Sequence, residues 1–386
     1  MQIAILNRTS RLLAGHLWVF SNELASSPKK FQPGTLVELQ DKKGIFLGIG
    51  YVNPHSLISI RILTRKKEEI DKAFIKRRIE DALSYRKRFL GKRSSFRAVY
   101  SEGDLLPGLI VDKYEDCLSV QFLTLGMEAM AEMVFEALDE VYKPSAIVLR
   151  NDNNIRTLEG LPLEKKIVKG GLDTLPVIDE YGLKLEIDPM SGQKTGFFLD
   201  QAENRAAFAS LATGGEGLDL FSYTGAWSLA LAAKGVRMKG VDSSEYAVAQ
   251  ARKNASLNGF KECEFVKEDV FEAVKAEKAA GRKYDCIVLD PPAFVKSKAK
   301  ITEALKAYRE LNNACMGMLR YKGLFATSSC SYHVDRYMFL DMLRSAARDA
   351  GKQARVIEIR SQGKDHPASL AVPETEYLKC VLMEVF

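Results

Sequence analysis

The chain has few of the features that mark secreted, membrane-spanning or metal-binding proteins. Its six cysteines (Cys117, Cys263, Cys286, Cys315, Cys330 and Cys380) are scattered, with no Cys-x-x-Cys pair and no histidine pair at zinc spacing. Neither a disulfide framework nor a metal site is therefore expected. No apolar run approaches the roughly 18 to 20 residues needed to cross a bilayer, and the stretch from Met1 to Arg8 lacks the long apolar core of a signal peptide. A cytoplasmic location with no membrane partner is expected. No low-complexity tract interrupts the 386 residues, and 46% hydrophobic with 27% charged residues is the balance of a globular protein. There is also no Gly-x-Gly-x-x-Gly run at the strand-to-helix turns, which disfavours NAD or FAD and favours a ligand without a pyrophosphate.

Charge is present but uneven. Between Arg61 and Tyr100 stand fourteen Lys or Arg against five Asp or Glu, a net of +9 in a chain whose total is +6. Such a stretch is the footprint of a polyanion binder or simply a solvated helix face. Ile75, Ile79, Leu83 and Leu90 recur at helical spacing, which assigns Lys76, Arg77, Arg78, Arg86, Lys87 and Arg88 to the other faces.

Three domains are expected: residues 1–66, 67–179 and 180–386. The first alternates β-rich runs with turns, Leu36-Val37-Glu38-Leu39, then Asp41 to Gly44, then Ile45 to Val52 and Leu57 to Leu63. The second opens with the basic helix and continues into strands and a helix as an α+β domain. The third repeats strand then helix, as a doubly wound parallel sheet of α/β class requires. Its strands read Gly217 to Phe221, Arg237 to Asp242, Cys263 to Val266, Tyr284 to Leu289 and Gly323 to Thr327. Ligands of such sheets bind beyond the carboxyl ends of the strands.

The chemistry-bearing residues all fall at those ends. Phe221-Ser222-Tyr223-Thr224-Gly225 turns directly into a helix, with Gly225 permitting close approach of a ligand. Asp242 ends the second strand at the spacing of an acid that accepts from ribose hydroxyls, although Asp242-Ser243-Ser244 also reads as a helix cap. Asp269 could accept from an adenine amino group. In Asp290-Pro291-Pro292-Ala293-Phe294 the prolines force an extended exit that presents the Asp290 carboxylate. Cys330, forty residues on in Ser328-Ser329-Cys330-Ser331, lies opposite Asp290 if the sheet order is the usual one. An acid paired with a lone thiol suggests covalent chemistry on a heterocyclic base. An inert buried thiol is the ordinary alternative.

In the order of these runs the chain resembles a class I S-adenosylmethionine-dependent methyltransferase, and more narrowly the RlmI type of 23S ribosomal RNA cytosine-5 methyltransferase. The similarity runs from Arg11 to Ser21, which looks like the start of that family's PUA domain, to His366-Pro367. Gln193 to Gln201, Asp219 to Gly225, Asp290 to Phe294 and Ser328 to Ser331 carry it. The resemblance implies S-adenosylmethionine as cofactor, held by Asp219, Phe221, Ser222, Tyr223, Thr224, Gly225, Asp242 and Ser243, with Asp269 and Val270 bordering the adenine and Asp290 close by. It further implies a hairpin lip at Lys194 to Gln201 and an RNA-binding PUA module.

Cytosine C5 is too weak a nucleophile to take a methyl group unaided, so a thiolate adding at C6 must first create an enamine. Cys330 is the expected nucleophile and Asp290 the group that orients the base. The base must be single-stranded or flipped out to reach such a crevice, with ribosomal RNA gripped by Arg77, Arg78, Arg86 and Arg88. Many RNA cytosine-5 methyltransferases carry a second cysteine directly after the Asp-Pro-Pro motif; here that place is Ala293, so a single-cysteine cycle is expected. Uracil C5, an amino-group acceptor, or non-catalytic RNA binding in ribosome assembly are the competing readings, and a homodimer is left open.

Overall fold

The computed structural model describes residues 1–294 and 300–386. The chain forms two units, one of Met1–Ile178, Ile187–Asp200 and Lys364–Glu376, the other of Asp179–Glu186, Gln201–Gly363 and Tyr377–Phe386.

The first unit holds two sheets. In the first sheet Gln2–Ile5, Leu36–Gln40, Phe46–Val52, Ile58–Thr64 and Trp18–Phe20 lie side by side in that order. Alternation along Leu36–Gln40 buries Val37 and Leu39 against Val52, Ile60 and Ile62, as the two-residue period of a strand dictates. The turn read from Asp41 to Gly44 is built by Asp41, whose Oδ1 accepts from the N–H groups of Lys43 and Ile45, both at 2.8 Å. Val372, from the last segment of the unit, closes this core.

The second sheet orders Glu164–Lys169, Ala146–Asn151, Cys117–Phe122, Leu109–Tyr114 and Phe96–Tyr100, and the basic helix, Lys72–Phe89, shares its core. Asp71 starts that helix by accepting from the Phe74 N–H at 2.8 Å. The helix buries Phe74, Ile75, Ile79, Ala82 and Arg86.

Arg86 is therefore a correction. It stands eleven residues after Ile75, which at about 100° per residue returns it to the apolar stripe, and its guanidinium is wholly enclosed in an ion pair with Asp104. Sequence reading followed its charge, whereas its helical phase decided its place; it cannot grip RNA. The neighbouring cations are also engaged. Arg77 pairs with Glu68 at 2.5 Å and Lys76 with Glu140 at 2.7 Å, while half-buried Arg78 donates to the Leu63 carbonyl at 3.2 Å. Arg88 is exposed.

Residues 187–198 contain no strand and run as turns into a short 3-10 helix, Leu199–Gln201, so the expected hairpin lip is a turn-rich segment. Buried side chains hold it instead of a ladder. The Thr195 hydroxyl donates to Asp112, and the Tyr114 hydroxyl accepts from the Phe197 N–H at 3.1 Å.

The second unit is built on one seven-stranded sheet. Its strands, numbered in chain order, are β1 (Gly215–Leu220), β2 (Val236–Asp242), β3 (Glu264–Lys267), β4 (Tyr284–Leu289), β5 (Leu319–Ser329), β6 (Ala354–Arg360) and β7 (Lys379–Val385). The spatial order is β3-β2-β1-β4-β5-β7-β6. Neighbours among β1 to β5 are parallel, whereas β7 runs antiparallel to both β5 and β6. Tyr-Asp-Cys-Ile-Val-Leu in β4 is nearly continuous in apolar residues because helices cover both faces of a parallel sheet. Leu218, Leu220, Ile287, Leu289 and Phe325 join Tyr308, Leu311, Cys315 and Phe339 in its core. The strand order reverses between β1 and β4, which opens a crevice beyond their carboxyl ends. Among the described residues no helix is long and apolar enough to cross a membrane.

Candidate active site

The loop after β1 is shaped by its backbone. Phe221, Tyr223 and Gly225 take positive φ of 65°, 47° and 84°, so alternate residues are held in a conformation that costs a side chain about 1 kcal/mol or more. Specific bonds enforce it. The Ser222 N–H donates to the Val241 carbonyl at 3.0 Å, and the Tyr223 N–H donates to Asp242 Oδ2 at 2.9 Å. At Gly225 a Cβ would stand 2.9 Å from the Phe265 ring, so conformation and packing both require glycine.

Asp242 therefore organises the loop, while the cap of the next helix is Ser244, whose hydroxyl accepts from the Ala247 N–H at 3.2 Å. Asp242 Oδ1 accepts from the Ser244 N–H at 2.9 Å, and Ser243 between them is exposed. Asp269 is itself a helix cap, accepting through Oδ1 from the N–H groups of Phe271 and Glu272 at 2.9 and 3.2 Å. The Val270 side chain is buried in the core.

Asp219 is a strongly perturbed acid of this corner. It is fully buried within β1, and its Oδ2 accepts from the N–H and hydroxyl of Ser228 at 3.1 and 2.7 Å. Burial above all, helped by the charges of Asp290 and Asp242 and opposed by the Ser228 bonds, raises its pKa to about 7. Asp219 Oδ1, Ser222 Oγ and Thr224 Oγ1 are buried without a hydrogen-bond partner, a state folded proteins rarely leave unexplained. A ligand bearing ammonium, carboxylate and hydroxyl groups would satisfy all three.

Asp290 follows β4, with its N–H donating to the Leu220 carbonyl at 3.3 Å across the switch point. Its carboxylate accepts from Gln201 Nε2 at 3.0 Å on both oxygens and from the Trp227 indole at 3.0 Å. Gln201 also donates to Ser328 Oγ at 3.1 Å, and its own carbonyl accepts from Asn204 at 2.7 Å. Gln201 and Trp227 are neutral donors, and their bonds hold the carboxylate in place. Trp227 was not anticipated, because its role depends on the helix after β1 folding back over the crevice.

Cys330 stands one residue beyond β5. In the β4–β5 register Leu289 faces Thr327, so the exits carrying Asp290 and Cys330 emerge from adjacent strands. Ser329 and Ser331 are fully buried, whereas Cys330 between them is partly exposed. Cys117, Cys286, Cys315 and Cys380 are buried, and burial pushes Cys117, Cys286 and Cys380 up to about 12. Helix Arg336–Asp349 lies just downstream, and its cap is Asp335, accepting from the Met338 N–H at 2.8 Å, so His333 does not cap it. A row of rings, Phe221, Phe294 and Tyr308, lines the same strand ends, with centroids 6.3 and 4.7 Å apart. At the opposite, amino-terminal ends lies a 270 Å³ polar cleft lined by Glu216, Arg237, Lys239 and Glu277. Ion pairs of Arg237 with Glu216 and of Lys239 with Glu277 fill its chemistry.

Comparison with known proteins decides the family. An S-adenosylmethionine-dependent methyltransferase model matches residues 149–344 and a PUA-like domain model matches residues 7–65. The chain belongs to the S-adenosylmethionine-dependent methyltransferases. S-adenosylmethionine is the cofactor of this methyltransferase, and its N-terminal module is PUA-like. The methyltransferase is 34% identical to "Ribosomal RNA large subunit methyltransferase I" of Pseudoalteromonas atlantica over 98% of this chain and 97% of that one. It is 36% identical to the protein of the same name from Aeromonas salmonicida, covering 96% of each. Among solved structures, a methyltransferase from Streptococcus mutans shares the fold at TM-score 0.85 and 20% identity, with 100% of each chain covered. Another methyltransferase, complexed with SAH, matches at TM-score 0.86 and 20% identity, also with 100% of each chain covered.

Proposed function

We propose that this methyltransferase transfers a methyl group to C5 of a cytosine in large-subunit ribosomal RNA through a covalent bond between Cys330 and C6. The observation that carries the reading is the juxtaposition at the switch crevice: a partly exposed thiol after β5 beside a fixed carboxylate after β4. The names of its full-length relatives point to the ribosomal RNA.

S-adenosylmethionine supplies an electrophilic methyl carbon. Asp219, Ser222 and Thr224 would offer their unpartnered oxygens to its polar groups, Asp242 and Ser243 would hold its ribose, and the second oxygen of Asp269 would accept from its adenine. The Cys330 thiolate adds to C6, which shifts electron density to C5 so that this carbon forms the new bond. Loss of the C5 proton to a base then restores the double bond and expels the thiolate. Asp290, an acceptor, suits the N4 amino group of cytosine; the O4 acceptor of uracil at the same edge would oppose it. The PUA-like module and Arg88, with Arg77 and Arg78 behind their present bonds, hold the RNA flanking a single-stranded or flipped base.

Comparing ribosomal RNA nucleosides by mass spectrometry with and without the active gene product tests this reading. A 5-methylcytidine that disappears with the protein is expected; loss of 5-methyluridine instead would move the target to uracil. The cofactor corner has its own test. Because Asp219 must ionise to pair with an ammonium, S-adenosylmethionine affinity is expected to rise with pH up to about 7 and then level off. Asp219→Asn should bind more weakly and lose that dependence, as calorimetry from pH 5.5 to 8.5 would show.

A further inference from the structure

Lys379 is the first residue of β7 and faces Ser329 in the antiparallel register with β5. It is only 7% exposed, although lysine is rarely buried and an ammonium in a low-dielectric site is costly. Its Nζ donates to the main-chain oxygens of Ser331 at 2.7 Å and Tyr377 at 2.8 Å. Ser331 immediately follows Cys330, so the cation is anchored one peptide from the thiol.

The other flank is held from the helix Ile301–Met318. The Tyr308 hydroxyl accepts from Ser329 Oγ at 3.0 Å and lies 3.1 Å from Ser331 Oγ, while the Ser331 N–H donates to Ser329 Oγ at 3.3 Å. Both serines are thereby fastened inward, and Cys330 between them is left partly exposed. Among the described residues, the titratable groups on the neighbouring elements are Tyr308 from that helix, Asp290 from the end of β4, Lys379 and Cys380 from β7, and Tyr332 and His333 from its own segment. Tyr308 and Cys330 sense each other: burial first, and also the charge of Cys330, raise the tyrosine's pKa. Asp290 opposes a second negative charge here, so a thiolate needs a cation at hand.

We propose that Lys379 is a positioning residue for the covalent step, its buried ammonium fixing the Ser331 carbonyl and favouring the thiolate form of Cys330. This rests on Cys330 being the nucleophile. The balance is simple: the thiol proton goes to solvent, and the charge left on sulfur is offset by the ammonium proposed for Lys379.

The test is iodoacetamide alkylation of the full-length protein at a series of pH values, with Cys330 followed by peptide mass spectrometry. Cys117, Cys286 and Cys380, near 12, and Cys263, near 11, react little below pH 9. The wild-type midpoint is expected below about 8.5, the value of an ordinary free thiol. Lys379→Gln keeps a donor for the Ser331 carbonyl but removes the charge, and should raise the midpoint by about one unit or more. The pH profile of methyl transfer should move with it, and Lys379→Arg should restore both. A wild-type midpoint at or above about 8.5 overturns the proposal without any variant, as does an unchanged midpoint in Lys379→Gln. Full activity of Cys330→Ala would instead sink the nucleophile assignment while leaving the thiol titration readable.

Discussion

Cys330→Ala is expected to lower methyl transfer by about 10⁴-fold or more, the scale on which loss of a covalent nucleophile is felt, with S-adenosylmethionine binding unchanged. The two measurements separate because the proposed cofactor corner lies at β1, β2 and the loop after β1, while the thiol follows β5. A cofactor dissociation constant that rose in parallel would mean that the substitution had disturbed the sheet. Retained activity would remove the covalent route altogether. A second readout follows from the chemistry. RNA with 5-fluorocytidine at the target cannot lose a proton from C5, so the adduct should accumulate as a band resistant to denaturation, and Cys330→Ala should abolish it. Ala293 sharpens the expectation. With no thiol at that position, the same sulfur must attack and leave, so the only protein-RNA crosslink should map to Cys330.

The strands that end in these residues were legible because parallel strands are continuous apolar runs, and their ends are marked by Asp242, by Asp290-Pro291-Pro292 and by the small residues around Cys330. The partners of those residues were not. Trp227 reaches Asp290 from 63 positions away and Lys379 reaches Ser331 from 48, distances over which a single sequence carries no pairing signal. Local chemistry misled in smaller ways. Asp242-Ser243-Ser244 offers two capping acceptors, and it is the hydroxyl of Ser244, nearer the helix, that takes the amide, which leaves the carboxylate for the loop. The strand β6 escaped notice because it is an edge, with Val356, Ile357 and Ile359 about two-fifths exposed, so its pattern lacks the alternation that marks a half-buried strand. The return of Lys364–Glu376 to the first unit is equally silent, since it is made by a buried polar network around Asp365 rather than by an apolar run.

Arg86 joins that network, and its removal should be the most destabilising substitution in the first unit. Its Nη2 donates to Asp104 Oδ2 and to the Asp365 carbonyl, both at 2.7 Å, and its Nε donates to the Arg97 carbonyl at 2.8 Å. Asp104 is nearly enclosed as well, so Arg86→Ala leaves a buried carboxylate without its cation and strands two carbonyls. Breaking a buried pair from one side costs about 3–5 kcal/mol. For a unit of this size that corresponds to a fall of about 10 °C in melting temperature. Arg86→Lys should lie between, because an ammonium cannot reproduce the planar fork that meets Asp104 and the carbonyls together. Thermal unfolding followed by circular dichroism checks the order wild type, Arg86→Lys, Arg86→Ala. RNA binding separates this role from a surface role. If Arg86 served the RNA, its loss would leave the melting temperature unchanged and flatten the salt dependence of binding. With the side chain enclosed, the folded fraction of Arg86→Lys should keep the wild-type salt slope, whereas Arg88→Gln, at an exposed position of the same helix, should reduce it by about one.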